Sequence, residues 1–206
     1  MPDGQYSFYL HSDDRTDIAA MATISTISQP LRGEFIRTAA TAGAVVYQVD
    51  ARLPALIPVF FAGQLSAVRL CAVMALVSGT WSSLTGLPDE PENGEAALPV
   101  SPETEYQRRR YTLTLQNDRS GERVESVLTE ASSRLRGDLL RNLIITGLAL
   151  HTTAPELPRL LASMPVPPTS VSELQALVQQ MAGTADVNRA AAAVPDTPTA
   201  SAAPVS

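Results

Sequence analysis

Two short segments of the sequence carry polar side chains suited to contacting the edges of nucleobases. In both segments apolar and polar residues alternate, and a period of two is typical of a strand with one buried face. Arginine can bond bidentately to guanine, glutamine to adenine, and threonine to a base edge or a thymine methyl group. The predicted base-reading residues are Arg110, Thr112, Thr114 and Gln116 in one segment and Ser7, Tyr9 and His11 in the other. The plain alternative is an ordinary solvated strand face.

A second candidate site lies where two similar helices are predicted to begin. An arginine and a glycine stand at each start, Arg136 with Gly137 and Arg32 with Gly33. Free amides at a helix N-terminus bind phosphate, and a glycine lets the phosphate approach the backbone. We therefore predict that these four residues bind phosphate. An acidic residue follows each glycine, and it either points away from the phosphate or serves only to stabilise the helix dipole.

Enzymatic chemistry finds little support in the sequence. The two histidines, His11 and His151, are not accompanied by a cluster with metal-ligand spacing. Neither a phosphate-binding glycine loop nor a recognisable nucleophile motif is present. We therefore expect no enzymatic activity, no catalytic residue, no bound metal and no cofactor.

The second half of the sequence repeats the first. The segment LRGEFIR at 31–37 matches LRGDLLR at 135–141, an offset of 104 residues. The same offset aligns Gly43 with Gly147 and Gly79 with Gly183, while 6–13 matches 111–118 at an offset of 105. A collinear series of this length predicts a tandem duplication.

The repeat and the local composition divide the chain into four parts. Copy one spans about 5–80 and copy two about 106–183, each predicted as a strand, two helices and a helical extension. Between them, 81–105 holds six acidic residues, no basic residue and several prolines, which favours an extended linker. The remainder, 184–206, is rich in Ala, Pro and Thr and is predicted to be a disordered tail.

The helices of copy two are predicted from apolar residues at helical spacing. A first helix is expected at 121–132 with Asp118 or Ser120 as its N-cap, a second at 137–152, and two more at about 155–163 and 170–182. Gly147 inside the second helix, and Gly43 at the equivalent place, indicate a close approach of helices. A lone strand would leave both of its edges unpaired. We therefore predict a mainly α fold in which the strands of the two copies form a short antiparallel β-ribbon, a tandem ribbon-helix-helix pseudo-dimer with extra C-terminal helices in each repeat.

Composition and charge agree with this interpretation. All fifteen basic residues are arginines, against 21 acidic ones, but the acidity is concentrated in the linker and copy two has nine arginines to seven acids. Arg52 and Arg69 interrupt the most apolar region, so we expect no membrane contact. A single cysteine excludes an internal disulfide, and residues 1–10 do not resemble a signal peptide, so a cytoplasmic location is expected.

The segment 141–151 (RNLIITGLALH), followed by 154–161 (APELPRLL), resembles the ParR (StbB) family of plasmid partition adaptors. The resemblance covers about 106–183 well and 5–80 more loosely, and the duplication departs from the single-copy domains of the family. It implies double-stranded DNA as the partner, with binding to centromere repeats, repression of the protein's own promoter, higher-order assembly on DNA, and a link to an actin-like filament.

Two alternatives remain open from the sequence. The tandem arrangement is similar to TraY, an accessory protein of the conjugation relaxosome, so the chain can also be a relaxosome accessory or a transcriptional repressor with no filament partner. The other alternative is a helical protein-interaction module that does not bind DNA.

Overall fold

The two copies fold into matching sets of elements, mainly helices with one two-stranded sheet in the part described by the computed structural model, residues 4–80 and 107–192. Copy one forms β1 (Gln5–His11), α1 (Arg15–Ser25), a 3-10 turn (Gln29–Leu31), α2 (Arg32–Val49), α3 (Leu53–Phe60) and α4 (Ala67–Ser78). Copy two forms β2 (Arg108–Thr114), α5 (Arg119–Glu130), α6 (Arg136–Thr153), α7 (Leu157–Ser163) and α8 (Val171–Ala192).

The strands of the two copies pair with each other, and this prediction is confirmed. β1 and β2 are antiparallel, and the register sets Ser7 opposite Thr112. Ser7 and Thr112 are also equivalent residues of the two copies, because the strands match at an offset of 105. This pair therefore lies at the centre of the ribbon, where each copy meets its equivalent. Phe8, Leu10 and Leu113 face inward and are buried, and the ring of Phe8 stacks on Tyr111 with 5.2 Å between centroids.

The first helix of each copy begins at an aspartate. The side chains of Asp14 and Asp118 accept hydrogen bonds from the amides of Asp17 and Gly121, three residues later. Such a cap satisfies one of the free amides at the helix N-terminus. It also makes α5 begin two residues before the predicted position of 121, while Asp118 is confirmed as the cap.

The long helices α2 and α6 cross at the centre of the molecule. Gly43 lies against the backbone carbonyl of Leu143, and Gly147 against that of Ala39, so that a Cβ on either glycine would overlap the other helix. The close approach predicted from the recurrence of these glycines is therefore confirmed. Because glycine has no Cβ, the backbones of α2 and α6 come into contact at these two positions, where any other residue would keep them apart.

The two copies interlock rather than forming two separate bodies. β1 and α3 of copy one pack on α6 of copy two, β2, α5 and α7 of copy two pack on α2 of copy one, and α4 packs on α8. One continuous hydrophobic cluster therefore runs through both copies. Among the described residues, none of the helices combines the length and the apolar character that crossing a membrane requires.

Equivalent hydrogen bonds recur in the two copies. The hydroxyl of Thr16 donates to the carbonyl of Pro58, which ties α1 to α3. The hydroxyl of Ser120 donates to the carbonyl of Ala162, which ties α5 to α7. Thr16 is equivalent to Ser120, and Pro58 to Ala162, at the offset of 104. The repeat found in the sequence therefore extends to tertiary contacts.

Several predicted boundaries are corrected by the structure. β2 begins at Arg108 and ends at Thr114, two residues earlier than the alternating run 110–116 had indicated. α8 continues to Ala192, so the first part of the predicted tail is helical. The prediction of disorder rested on small residues, but alanine favours a helix. The linker predicted at 81–105 and the tail from 193 onward lie outside the described residues.

Candidate nucleic-acid interface

One face of the ribbon is polar and directed away from the core. We call it the outer face; it consists of Gln5, Ser7, Tyr9 and His11 on β1 and Arg108, Arg110, Thr112 and Thr114 on β2. Directly opposite residues of an antiparallel pair share a face, which makes these eight side chains one surface. All the predicted base-reading residues except Gln116 belong to it.

Gln116 lies beyond the end of β2 and outside this paired set, so its role in base reading stays a prediction. It follows β2 by two residues, where the chain turns toward the cap of α5, and its carbonyl packs directly against Gly121. Its side chain is exposed but stands outside the paired strands. The alternation of apolar residues continues through Leu115, which is buried, and this is why the sequence pattern extended the strand too far.

Two arginines on the outer face are held by neighbours across the ribbon. The guanidinium of Arg110 donates from Nε (3.1 Å) and Nη2 (2.9 Å) to the hydroxyl of Ser7. The guanidinium of Arg108 lies over the ring of Tyr9, 3.5 Å from its centroid, as a cation–π contact. Both contacts run diagonally across the strands, so the two cations are orientated before any ligand arrives.

Sequence reasoning missed Arg108 and Gln5 as members of this surface. The available signal was the run of three arginines from Arg108 to Arg110 next to the alternating segment. Arg109, between them, lies on the opposite face of the ribbon, where it is exposed. Its guanidinium carbon is 5.3 Å from the centroid of the Tyr111 ring.

The first turns of the long helices lie beside the ribbon. A Cβ on Gly137 would stand 3.5 Å from the carbonyl oxygen of Ser7, so α6 starts against β1. α2 also contacts β2, but no atom of the strand lies within 4 Å of the Cβ position of Gly33. The residues preceding these helices, Leu31 and Leu135, offer no side-chain cap to the first amides.

Arg32 and Arg136 turn back from these first turns. Nε of Arg32 donates to the carbonyl of Ile27 (2.8 Å) just after α1, and Nε of Arg136 donates to the carbonyls of Leu128 (3.1 Å) and Ala131 (3.3 Å) at the end of α5. These carbonyls lie at or just beyond the C-terminal end of a helix, where a positive charge is favourable. The guanidiniums thus have a structural role near the predicted phosphate site, and their binding of phosphate stays a prediction.

A buried ion pair that the sequence did not indicate joins the two copies. Asp17 is 1% exposed, accepts the amide of His11 (2.9 Å), and binds Nε of Arg141 at 2.6 Å. Arg141 also reaches Asp14 at 3.3 Å. Burial raises the pKa of the Asp17 carboxyl above its ordinary value, an effect larger than the lowering by the His11 amide and Arg141.

The equivalent place in the other half of the molecule has no carboxylate. Gly121 stands where copy one has Asp17, and a cavity of about 340 Å³ lies beside it. Arg37, the equivalent of Arg141, lines this cavity with Glu34 and Asp118. Across 4–80 and 107–192, no three side chains of His, Cys, Asp or Glu are grouped as a metal site would require.

Comparison with known protein families places both copies in one family. A family described as plasmid stability protein matches residues 4–74 and again residues 109–178. The double match confirms the tandem duplication. No curated protein and no solved structure matches the chain. The two matches together span well over half of the sequence, and the chain therefore belongs to the plasmid stability protein family, whose role is in plasmid maintenance.

Proposed function

We propose that this chain is a sequence-specific DNA-binding protein that reads the major groove with the outer face of its ribbon. In this proposal the fold is a ribbon-helix-helix pseudo-dimer, with both strands supplied by one chain. The observation that carries it is the antiparallel pairing of β1 and β2 with an exposed polar face and a buried apolar one. A two-stranded ribbon of this kind fits the major groove of B-form DNA.

The side chains of the outer face have the chemistry that base reading needs. Arg110 bonds bidentately to a guanine, and Thr112 and Thr114 contact base edges or thymine methyl groups. Ser7, Tyr9 and His11 act from the other strand. Because the two strands carry different residues, the site that they read is asymmetric, which a symmetric homodimer cannot match.

The first turns of α2 and α6 fix the protein on the DNA backbone. Their amides have no side-chain cap, and Gly33 and Gly137 carry no side chain that would keep a phosphate away from the backbone. Arg32 and Arg136 contribute positive charge close by. Contacts of this type orient a protein on the duplex and carry no sequence information themselves.

Membership in the plasmid stability protein family supports a partition role. In this proposal the chain is an adaptor that binds centromere repeats, represses its own promoter, and links the DNA to an actin-like filament. A relaxosome accessory similar to TraY, or a repressor of the same fold without a filament, is the second candidate, favoured by the tandem arrangement. A module that binds proteins and not DNA is the third.

A gel shift tests DNA binding. The probe is the region upstream of the protein's own gene, with a shuffled duplex as the control. The wild type should retard the first probe selectively, and a variant carrying Arg110→Ala and Thr112→Ala should lose this selectivity. Both residues are exposed, so the free energy of unfolding should change by less than about 0.5 kcal/mol. Equal retardation of both probes by the wild type would contradict sequence-specific binding.

The filament link is tested separately. The wild type and an actin-like protein encoded beside it are sedimented together in the presence of ATP and the upstream duplex. Co-sedimentation that depends on the duplex supports the adaptor role. Specific DNA binding without co-sedimentation favours the relaxosome accessory or the repressor.

A further inference from the structure

The internal repeat allows the two sides of the ribbon to be compared residue by residue. We call them the Arg37 flank and the Arg141 flank, each formed by the first turns of one long helix and the segment that leads into α5 or α1. The Arg37 flank consists of Glu34, Arg37, Asn117, Asp118, Arg119 and Gly121. The Arg141 flank consists of their equivalents, Asp138, Arg141, Asp13, Asp14, Arg15 and Asp17. The first therefore has two arginines and two carboxylates, the second two arginines and four carboxylates.

The Arg141 flank shows what an arginine at this position binds. Arg141 donates to the carboxylate of Asp17 at 2.6 Å and reaches Asp14 at 3.3 Å, so its charge is satisfied by oxyanions of the same molecule. Charge-assisted bonds between a guanidinium and an oxyanion are among the strongest in proteins. This arginine is consequently committed to the fold.

The Arg37 flank lacks that internal oxyanion. Gly121 stands in place of Asp17, and a Cβ there would overlap the carbonyl of Gln116, so this position offers Arg37 no carboxylate. The cavity of about 340 Å³ lies beside it. In the described part of the chain, the guanidinium of Arg37 forms neither an ion pair nor a hydrogen bond. Its Nη1 lies 3.9 Å from the Cβ position of Gly33 in the first turn of α2. Arg37 is thus an available cation, directed toward the uncapped start of a helix beside the ribbon.

We propose that Arg37 binds a backbone phosphate of DNA and that Arg141 does not. The protein would then contact the phosphate backbones on the two sides of the groove unequally. This inference rests on the proposed DNA-binding function. A ribbon in the major groove has a phosphate backbone on each side, and the first turns of α2 and α6 lie next to the two strands. The acidic residue of each first turn, Glu34 or Asp138, is present on both flanks and does not cause the difference. The difference comes from Gly121 and Asn117, which stand where the other flank has Asp17 and Asp13.

The salt dependence of DNA binding tests the proposal. Each phosphate contact contributes about 0.9 to the slope of log K against log salt for duplex DNA, about eightfold in affinity between 1 M and 0.1 M salt. Binding of the full chain to the upstream duplex is measured by fluorescence anisotropy over a series of NaCl concentrations. Arg37→Gln should reduce the slope by about 0.9, whereas Arg141→Gln should leave it at the wild-type value.

Matched controls separate this effect from total charge and from misfolding. Arg52→Gln removes the same charge from the segment between α2 and α3, where Arg52 is paired with Asp50, and should leave the slope unchanged. If Arg141→Gln does not fold, the exposed pair Glu34→Gln and Asp138→Asn replaces it, and affinity should rise more for the first. A wild-type slope in Arg37→Gln, or equal effects on the two flanks, would overturn the proposal while leaving DNA binding by the wild type intact. A wild type that binds no DNA would instead overturn the proposed function itself.

Discussion

Replacing Gly147 with alanine is expected to separate the two helices on which the whole arrangement depends. The new Cβ would overlap the backbone carbonyl of Ala39, and the neighbour that must give way is main chain and not a flexible side chain. Overpacking of a close-packed core costs about 3 kcal/mol at the upper end of the usual range. Alanine recovers about 1 kcal/mol of helix propensity relative to glycine. The net loss of unfolding free energy is therefore about 2 kcal/mol.

Gly183→Ala is the matched control for this prediction. Gly183 also lies inside a helix, but no atom stands within 4 Å of the Cβ position among the described residues. This variant should gain about 1 kcal/mol from propensity alone. The two variants should thus differ by about 3 kcal/mol, or about 6–12 °C in Tm for a chain of this size.

Urea unfolding and thermal melts followed by circular dichroism measure the difference. Gly43→Ala, whose Cβ would overlap the carbonyl of Leu143, should behave like Gly147→Ala. Equal stabilisation of Gly147→Ala and Gly183→Ala would show that α2 and α6 do not touch at this crossing. The crossing would then not hold the first turns of α2 and α6 beside the ribbon, and the reasoning would be refuted.

Two further predictions concern the ion pair and a helix cap. Arg141→Gln leaves the carboxylate of Asp17 buried without its cation and should lower the free energy of unfolding by about 3 kcal/mol at neutral pH. Because burial already raises the pKa of Asp17, the folded state binds a proton at this carboxyl more readily than the unfolded state, so the contribution of Asp17 to stability increases as pH falls. The loss in Arg141→Gln should consequently be smaller at pH 5 than at pH 7 in urea titrations, and a loss independent of pH would contradict this origin. Asp118→Ala removes the hydrogen bond to the Gly121 amide and should lower the unfolding free energy by about 1 kcal/mol; an unchanged urea midpoint would show that the cap contributes nothing.

The features that the sequence predicted correctly depend on local periodicity or on the repeat. Alternation near Tyr111 identified the polar face of each strand, because side chains of a strand alternate strictly between two sides. The recurrence of Gly43 at Gly147 identified the helix crossing, because a glycine kept inside two equivalent helices indicates a close contact. The pairing of the two strands followed from the need to cover their edges.

The features that were missed depend on contacts between distant parts of the chain. Asp17 and Arg141 are 124 residues apart, and nothing near either residue indicates the other. The replacement of Asp17 by Gly121 between the copies was visible in the repeat, but its meaning required the pairing of Asp17 with Arg141 to be seen. The end of β2 was predicted two residues too late for the opposite reason, since a buried Leu115 continues the apolar alternation beyond Thr114, the last residue of the strand.

Covalent continuity between β1 and β2 has a consequence for the behaviour of the protein at low abundance. When two separate chains form a ribbon, dilution drives them apart and their stability depends on concentration. Here the partner strand belongs to the same chain, so its local concentration is fixed by the chain itself and does not fall on dilution. Assembly of the ribbon is therefore a first-order process, and a handful of molecules in a cell is as fully assembled as a concentrated solution.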